Sequence, residues 1–411
     1  MKRIIFLSTI IFTIVFDTIH AQEIKPNFLG EKHIINSDIL KEKREISIYL
    51  PENYQDTETD YPVLYILDGQ RYFLNGVLYQ NTLKWKEKTP DFIVIGLNTH
   101  NRKRRKLFFD DSKIFIDFLD KELIPYVDRN YRTSSKRLFF GWEMAGGLAI
   151  ELLAQPQSLF SAYLIASPTH INKARLDLLK NKLTQSDNAS EFIYFSISPL
   201  ETWSIPSLEN LSKVLKKHAS EGLIWHYKTL EGENHHSTPT KGIHEGLNKY
   251  FWDYPYIRFY SLKEFDDFGG MNALKEHFKK RGEKYNLSTE IHKDTKHFLL
   301  LQSMNEDNYE SFVFFMHEFG DYYKSKKRDF WFNRYAQFYL KYQKPNEAIK
   351  ILTAGLDKFQ NSSLILGTFG DAYVKKGEKA KAKEYYKKAI DFASKNGDKN
   401  IEIYESKLKQ I

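Results

Sequence analysis

The segment RLFFGWEMAGGLAIELL, residues 137–153, sets a glutamate at the turn of an otherwise apolar stretch. Leu138, Phe139 and Phe140 read as a short buried strand. From Gly146 onward the chain reads as a helix start rich in small residues, with Leu148, Ile150, Leu152 and Leu153 supplying apolar surface. A strand, a sharp turn flanked by small residues and then a helix is the setting of a nucleophile elbow, which normally lifts a serine above a sheet. Here Gly141 and Ala145 flank Glu143. A carboxylate attacking an ester would give an anhydride, a poor intermediate. On such a turn it suits alkyl displacement, in which the alkyl-enzyme ester is then hydrolysed by water. Hydrolases of that kind use Asp, and Glu carries its oxygens one carbon further.

Other side chains invite chemistry less strongly. Ser167 and Ser237 are candidate nucleophiles, but neither sits on an elbow. His235, His236 and His244 lack the spacing of a metal site, so no metal and no cofactor is expected. The run Asn101-Arg102-Lys103-Arg104-Arg105-Lys106 is the strongest local charge; it reads as a solvated loop, with an anionic ligand as the alternative. Without a recognised binding module, nucleic acid is not an expected partner.

These residues need a scaffold, and the hydrophobic pattern supplies one. HIINSDIL (33–40) and REISIYL (44–50) alternate as a hairpin would, while PVLYILDG (62–69) and DFIVIGLN (91–98) are almost wholly apolar, as central parallel strands are. KRLFFG (136–141), FSAYLIAS (160–167), EFIYFSIS (191–198) and LIWHYKTLEG (223–232) continue the series. Helix-period segments at 112–131, 143–155 and 206–222 lie between them. Strands alternating with helices predict a mostly parallel sheet of about eight strands, covered on both faces.

From about Tyr256 the pattern is helical to the end. A 34-residue offset matches Ala336 with Gly370, Tyr339 with Tyr373, Ala348 with Ala382, Leu352 with Tyr386 and Gly355 with Ala389. This is the period of a tetratricopeptide repeat, expected over 329–396 and offering a surface for a protein partner.

With 411 residues, 42% of them hydrophobic and 15% aromatic, the chain is long enough for two cores. The start, MKRIIFLSTIIFTIVFDTIHAQE, has Lys2 and Arg3, an apolar run to Phe16 and the small residue Ala21, which predicts a cleavable secretory signal over 1–21. No stretch predicts a membrane span. There is no cysteine, so an exported chain would depend on core packing alone. The expected organisation is a signal, an α/β domain over 22–255 and a helical domain over 256–411, in a periplasmic or secreted protein.

REISIYLPENY, YPVLYILDGQRYF, DFIVIGLNTHNR, FIDFLDKELIPYVDRNYRT, the elbow, FSAYLIASP and ENHHSTPTKGIHEGL occur in the order of a known family. The chain resembles the esterase D-like "putative esterase" branch of the α/β-hydrolases, which includes ferric-siderophore esterases. The resemblance spans roughly residues 30–250 and implies the α/β-hydrolase fold and carboxylic-ester hydrolysis. The family's elbow is Gly-His-Ser-x-Gly-Gly; this chain has Gly141, Trp142, Glu143, Met144, Ala145 and Gly146. The resemblance implies His235 as the catalytic histidine, Glu201 as its acid, and oxyanion donors from the Met144 N–H and from Gly69 or Gln70. The implied cleft is lined by Asp68, Gly69, Gln70, Trp142, Glu143, Glu201 and His235. Glu143 is expected to curl into the oxyanion hole and pair with His235, leaving hydrolysis impaired or altered. A small ester or an anionic ligand would occupy the cleft. The alternative is a non-catalytic binding or scaffold protein that uses the cleft and the tail.

Overall fold

The computed structural model describes residues 29–85, 87–99, 101–185 and 189–411. The expected signal over 1–21 lies outside them. Two compact units emerge, one from residues up to 84 together with 91–250, the other from 85–90 together with 251–411.

The first unit is built on eight strands: β1 (Glu31–Ser37), β2 (Glu42–Tyr49), β3 (Tyr61–Leu67), β4 (Ile93–Leu97), β5 (Thr133–Trp142), β6 (Ala162–Ala166), β7 (Phe192–Ile197) and β8 (Ile224–Thr229). Their order across the sheet is β1-β2-β4-β3-β5-β6-β7-β8. β2 runs antiparallel to both β1 and β4, and every pairing from β4 onward is parallel. Every residue of β3, β4, β6 and β7 is buried. The reason is that helices cover both faces of a parallel sheet, so its strands carry continuous apolar runs.

The covering helices are α1 (Gly69–Trp85), α2 (Ser112–Phe118), α3 (Ile124–Asn130), α4 (Met144–Leu153), α5 (Lys173–Gln185), α6 (Ile205–His218) and α7 (Thr238–Tyr250). The expected 112–131 helix is interrupted by a wider π-type turn at Leu119–Leu123. Three helices fall outside the periodic segments of the sequence, for a shared reason. The buried face of α1 includes Gly69, Gly76 and Gln80, while Leu74 and Leu78 are exposed. That of α7 includes Thr238, Gly242 and Gly246, and α5 buries Arg175 with only two leucines. Small and polar residues stand where apolar periodicity would show.

The regular elements of the second unit are, among the described residues, all helices. It contains α8 (Leu262–Asp267), α9 (Gly270–Tyr285), α10 (Lys293–Asn305) and α11 (Tyr309–Glu318), then α12 (Asp329–Lys341), α13 (Pro345–Lys358), α14 (Ser363–Lys375), α15 (Lys379–Asn396) and α16 (Ile401–Lys409). The 34-residue offset relates α12–α13 to α14–α15. Ala348 and Ala382 are fully buried, as are Leu352 and Ala389, and Tyr386 is nearly so. Polar bonds repeat the stacking: the Gln337 amide donates to Asp371, 34 positions on, at 3.1 Å. Ala382→Leu is expected to lower the stability of this unit by about 1–3 kcal/mol through overpacking. Lys383→Ala on the exposed face should change it by less than about 0.5 kcal/mol, both read from thermal melts.

Candidate active site

Three turns at the C-terminal ends of parallel strands carry non-glycine residues in the left-handed region: Asp68 after β3 (φ 54°), Glu143 after β5 (φ 55°) and Ser167 after β6 (φ 44°). Such backbone is costly for these residues and persists where the surroundings over-determine it. At Glu143 they do. Its N–H donates to the Ala166 carbonyl at 3.2 Å, and its carbonyl accepts from Gly147 N–H at 3.1 Å and Thr169 N–H at 3.0 Å. A Cβ on Gly141 would lie 2.6 Å from the Ala145 carbonyl oxygen, so the strand can approach the helix this closely only with glycine there.

The Glu143 side chain binds Arg104. One guanidinium nitrogen, Nη1, donates to Glu143 Oε2, while Nε and Nη2 donate to the Asp68 carboxylate at 3.0 and 2.8 Å. Asp68 is completely buried and also accepts from the Thr99 hydroxyl. The guanidinium lies 5.2 Å from the centre of the Trp142 ring and 5.8 Å from that of Phe108. Burial opposes the Arg104 charge, but Asp68 and then Glu143 outweigh it and hold the guanidinium pKa above its ordinary value.

This corrects the expectation that Glu143 pairs with His235: among the described residues no hydrogen bond or ion pair joins them. An always-charged planar fork outcompetes an imidazole for a carboxylate. Nor is the basic run wholly solvated, since Arg104 is buried at its centre.

His235 faces Glu201 instead, Nδ1 to Oε2 at 2.6 Å. Glu201 is fully buried and accepts from the Ser167 hydroxyl at 2.6 Å and the Ser198 N–H at 3.0 Å. Burial pushes its pKa up, but the bonds from His235, Ser167 and Ser198 prevail and hold it below 4.5. The His235 carbonyl accepts from the Trp142 indole at 2.9 Å and the Thr238 hydroxyl at 3.2 Å. Ser167 is thus a support for Glu201. Ser237 closes its own loop, accepting from the Asn234 N–H at 2.9 Å. His236 packs beside Trp142 and His235, whereas His244 lies on α7 with its Nε2 at 3.0 Å from the Asn248 amide.

Gly69 and Gln70 open α1 and Met144 opens α4, at positions whose N–H groups have no carbonyl within the helix to bind. The Gln70 side chain is tied to both backbone groups of Thr99, at 2.6 and 2.9 Å. Sequence reasoning did not single out Arg104, Thr99 or His170. The run of cations contained Arg104 without distinguishing it from its neighbours. His170 has a positive φ of 60° and a pKa lowered by burial, then by Arg175 and Arg105, with Glu143 opposing.

The family model described as "Putative esterase" matches residues 37–250, more than half of the chain. The chain belongs to this family. A tetratricopeptide-repeat model matches residues 365–396. Among solved structures, an IroE-like serine hydrolase from Shewanella oneidensis is 22% identical with a TM-score of 0.54, covering 70% of this chain and 98% of its own. An uncharacterised protein from Capnocytophaga ochracea covers 88% of this chain and 93% of its own at 17% identity and a TM-score of 0.57. The BES protein from Bacillus cereus is 23% identical, with a TM-score of 0.50 over 56% of this chain and 97% of its own. At these identities the likeness is one of fold. No curated protein matches the chain. No helix among the described residues is long and apolar enough to cross a membrane.

Within the esterase fold the arrangement combines an oriented histidine with an engaged carboxylate. A carboxylate at Nδ1 fixes the tautomer that leaves Nε2 able to accept a proton. A carboxylate on a guanidinium is a weakened nucleophile, its charge shared with the cation.

Arg104→Ala would leave Asp68 buried without its counter-ion. It is expected to cost about 3–5 kcal/mol in urea unfolding, with much of that recovered in an Arg104→Ala, Asp68→Asn double variant. The depressed Glu201 carboxyl contributes stability that is full above its unfolded value of about 4.5 and is lost as pH falls through its lower folded value. The melting temperature of wild type should therefore exceed that of Glu201→Gln at neutral pH, and the gap should narrow below pH 4.5.

Proposed function

We propose that this chain is an exported member of the esterase family whose ester-cleaving step is disabled at Glu143. Its site binds a small ester or an anionic ligand without turning it over, and its repeat-bearing tail holds a protein partner. The single observation behind this reading is the Arg104–Glu143 ion pair, which occupies the side chain at the nucleophile position. A serine there would lose its proton to His235 while the N–H groups of Met144 and of Gly69 or Gln70 received the oxyanion. The Glu143 side chain is engaged by Arg104 instead of facing His235, so neither acylation nor alkyl displacement is favoured. His235 and Glu201 are built into the packing of the site: Ser167 and Ser198 bond to the Glu201 carboxylate, and Trp142 and Thr238 to the His235 backbone carbonyl.

Short-chain p-nitrophenyl esters test the proposal. Wild type is expected to match the buffer rate, and Glu143→Ser to exceed it by at least about tenfold, an increase abolished by adding His235→Ala. Wild-type turnover that disappears in His235→Ala would overturn the reading. A folded Glu143→Ser protein without activity would show that the loss extends beyond one residue.

A further inference from the structure

A second concave surface lies on the first unit where its sheet ends. β8 is the last strand in the order, with β7 on one side and, among the described residues, no strand on the other. Its residues Trp225 and Tyr227 stand on one face, two positions apart, and both lie parallel to Phe195 of β7. The interplanar angles are 11° for Trp225 and 16° for Tyr227, with ring centres 6.0 and 5.0 Å from Phe195. The two rings are therefore nearly parallel to each other, and their Cα atoms are about two strand residues, or roughly 6.6 Å, apart. Among the described residues no further strand covers the faces they turn away from Phe195.

Those rings and α6 bound an open groove of about 420 Å³, lined by Trp225, Tyr227, Glu209, Ser212, Lys213 and Lys216. The volume falls in the range of small-ligand sites. Ser212 is 8% exposed, and its hydroxyl has no hydrogen-bond partner. Two lysines against one glutamate give the rim a net positive charge. A nearly parallel aromatic pair beside a cationic wall suits a ligand made of repeating sugar rings that carry carboxylates. The apolar faces of sugar rings stack on the aromatic faces, and the carboxylates meet the ammonium groups.

We propose that the groove between α6 and the free edge of β8 binds an acidic oligosaccharide, with Trp225 and Tyr227 stacking on successive sugar units and Lys213 and Lys216 contacting their carboxylates. The site is separate from Glu143 and His235, and it does not depend on whether the elbow hydrolyses esters.

Isothermal titration of the full chain with tetragalacturonate, and with neutral cellotetraose as the comparison, tests this. Tetragalacturonate is expected to bind at or below about 1 mM and to weaken with added salt, as exposed charges do. Cellotetraose should bind about tenfold more weakly. Lys213→Glu with Lys216→Glu leaves the aromatic floor intact and should abolish the preference for the acidic chain. Trp225→Ala should reduce affinity for both by about tenfold. His235→Ala should leave binding unchanged, which separates this site from the elbow. Absence of binding to tetragalacturonate would overturn the proposal, as would binding unaltered by the double lysine variant. A dimer in sedimentation equilibrium that the lysine variant dissociates would also overturn it, by assigning the groove to a second copy of the chain.

Discussion

A single buried guanidinium ties the candidate site together. Arg104 reaches from the loop after β4 to Asp68 at the end of β3 and to Glu143 at the end of β5. Both acids sit on left-handed turns, so the arginine spans two strained connections on neighbouring strands. Burying the charges of Arg104 and Asp68 is expensive, and the arrangement holds because one fork and the Thr99 hydroxyl make five hydrogen bonds to the two acids. Trp142 and Phe108 shield the guanidinium from water and strengthen each contact.

That pairing divides the site in two. On one side, Glu143 is committed to Arg104. On the other, Glu201 orients His235 and is itself held by Ser167 and Ser198. Trp142 joins the halves, its ring against Arg104 and its indole N–H on the His235 carbonyl. The tryptophan thus serves as a packing and hydrogen-bonding strut between Arg104 and His235.

The helical unit follows a simpler rule. Its repeat positions alternate small and large residues, so Ala348 and Ala382 permit close helix contact while Leu352 and Tyr386 fill the space between. Each helix pair covers the apolar face of the one before it, and α16 closes the last pair through Tyr404, which packs with Leu366, Ala389 and Ala393.

The sequence by itself determined the eight strands, the elbow at Glu143 and the 34-residue repeat, while the placing of Glu201 beside His235 came from the family resemblance. Each rests on local periodicity or on a motif compact enough to survive as a pattern. Tertiary structure alone decided the partner of Glu143. Arg104 is 39 positions away and stands among cations of identical type, and nothing in their order says which one is buried. It alone also revealed α1, α5 and α7, whose buried faces are built partly from glycine, glutamine or arginine. Where packing relies on close backbone approach and buried charge rather than on apolar side chains, the signal lies in which residues meet across the fold, and a linear pattern does not carry it.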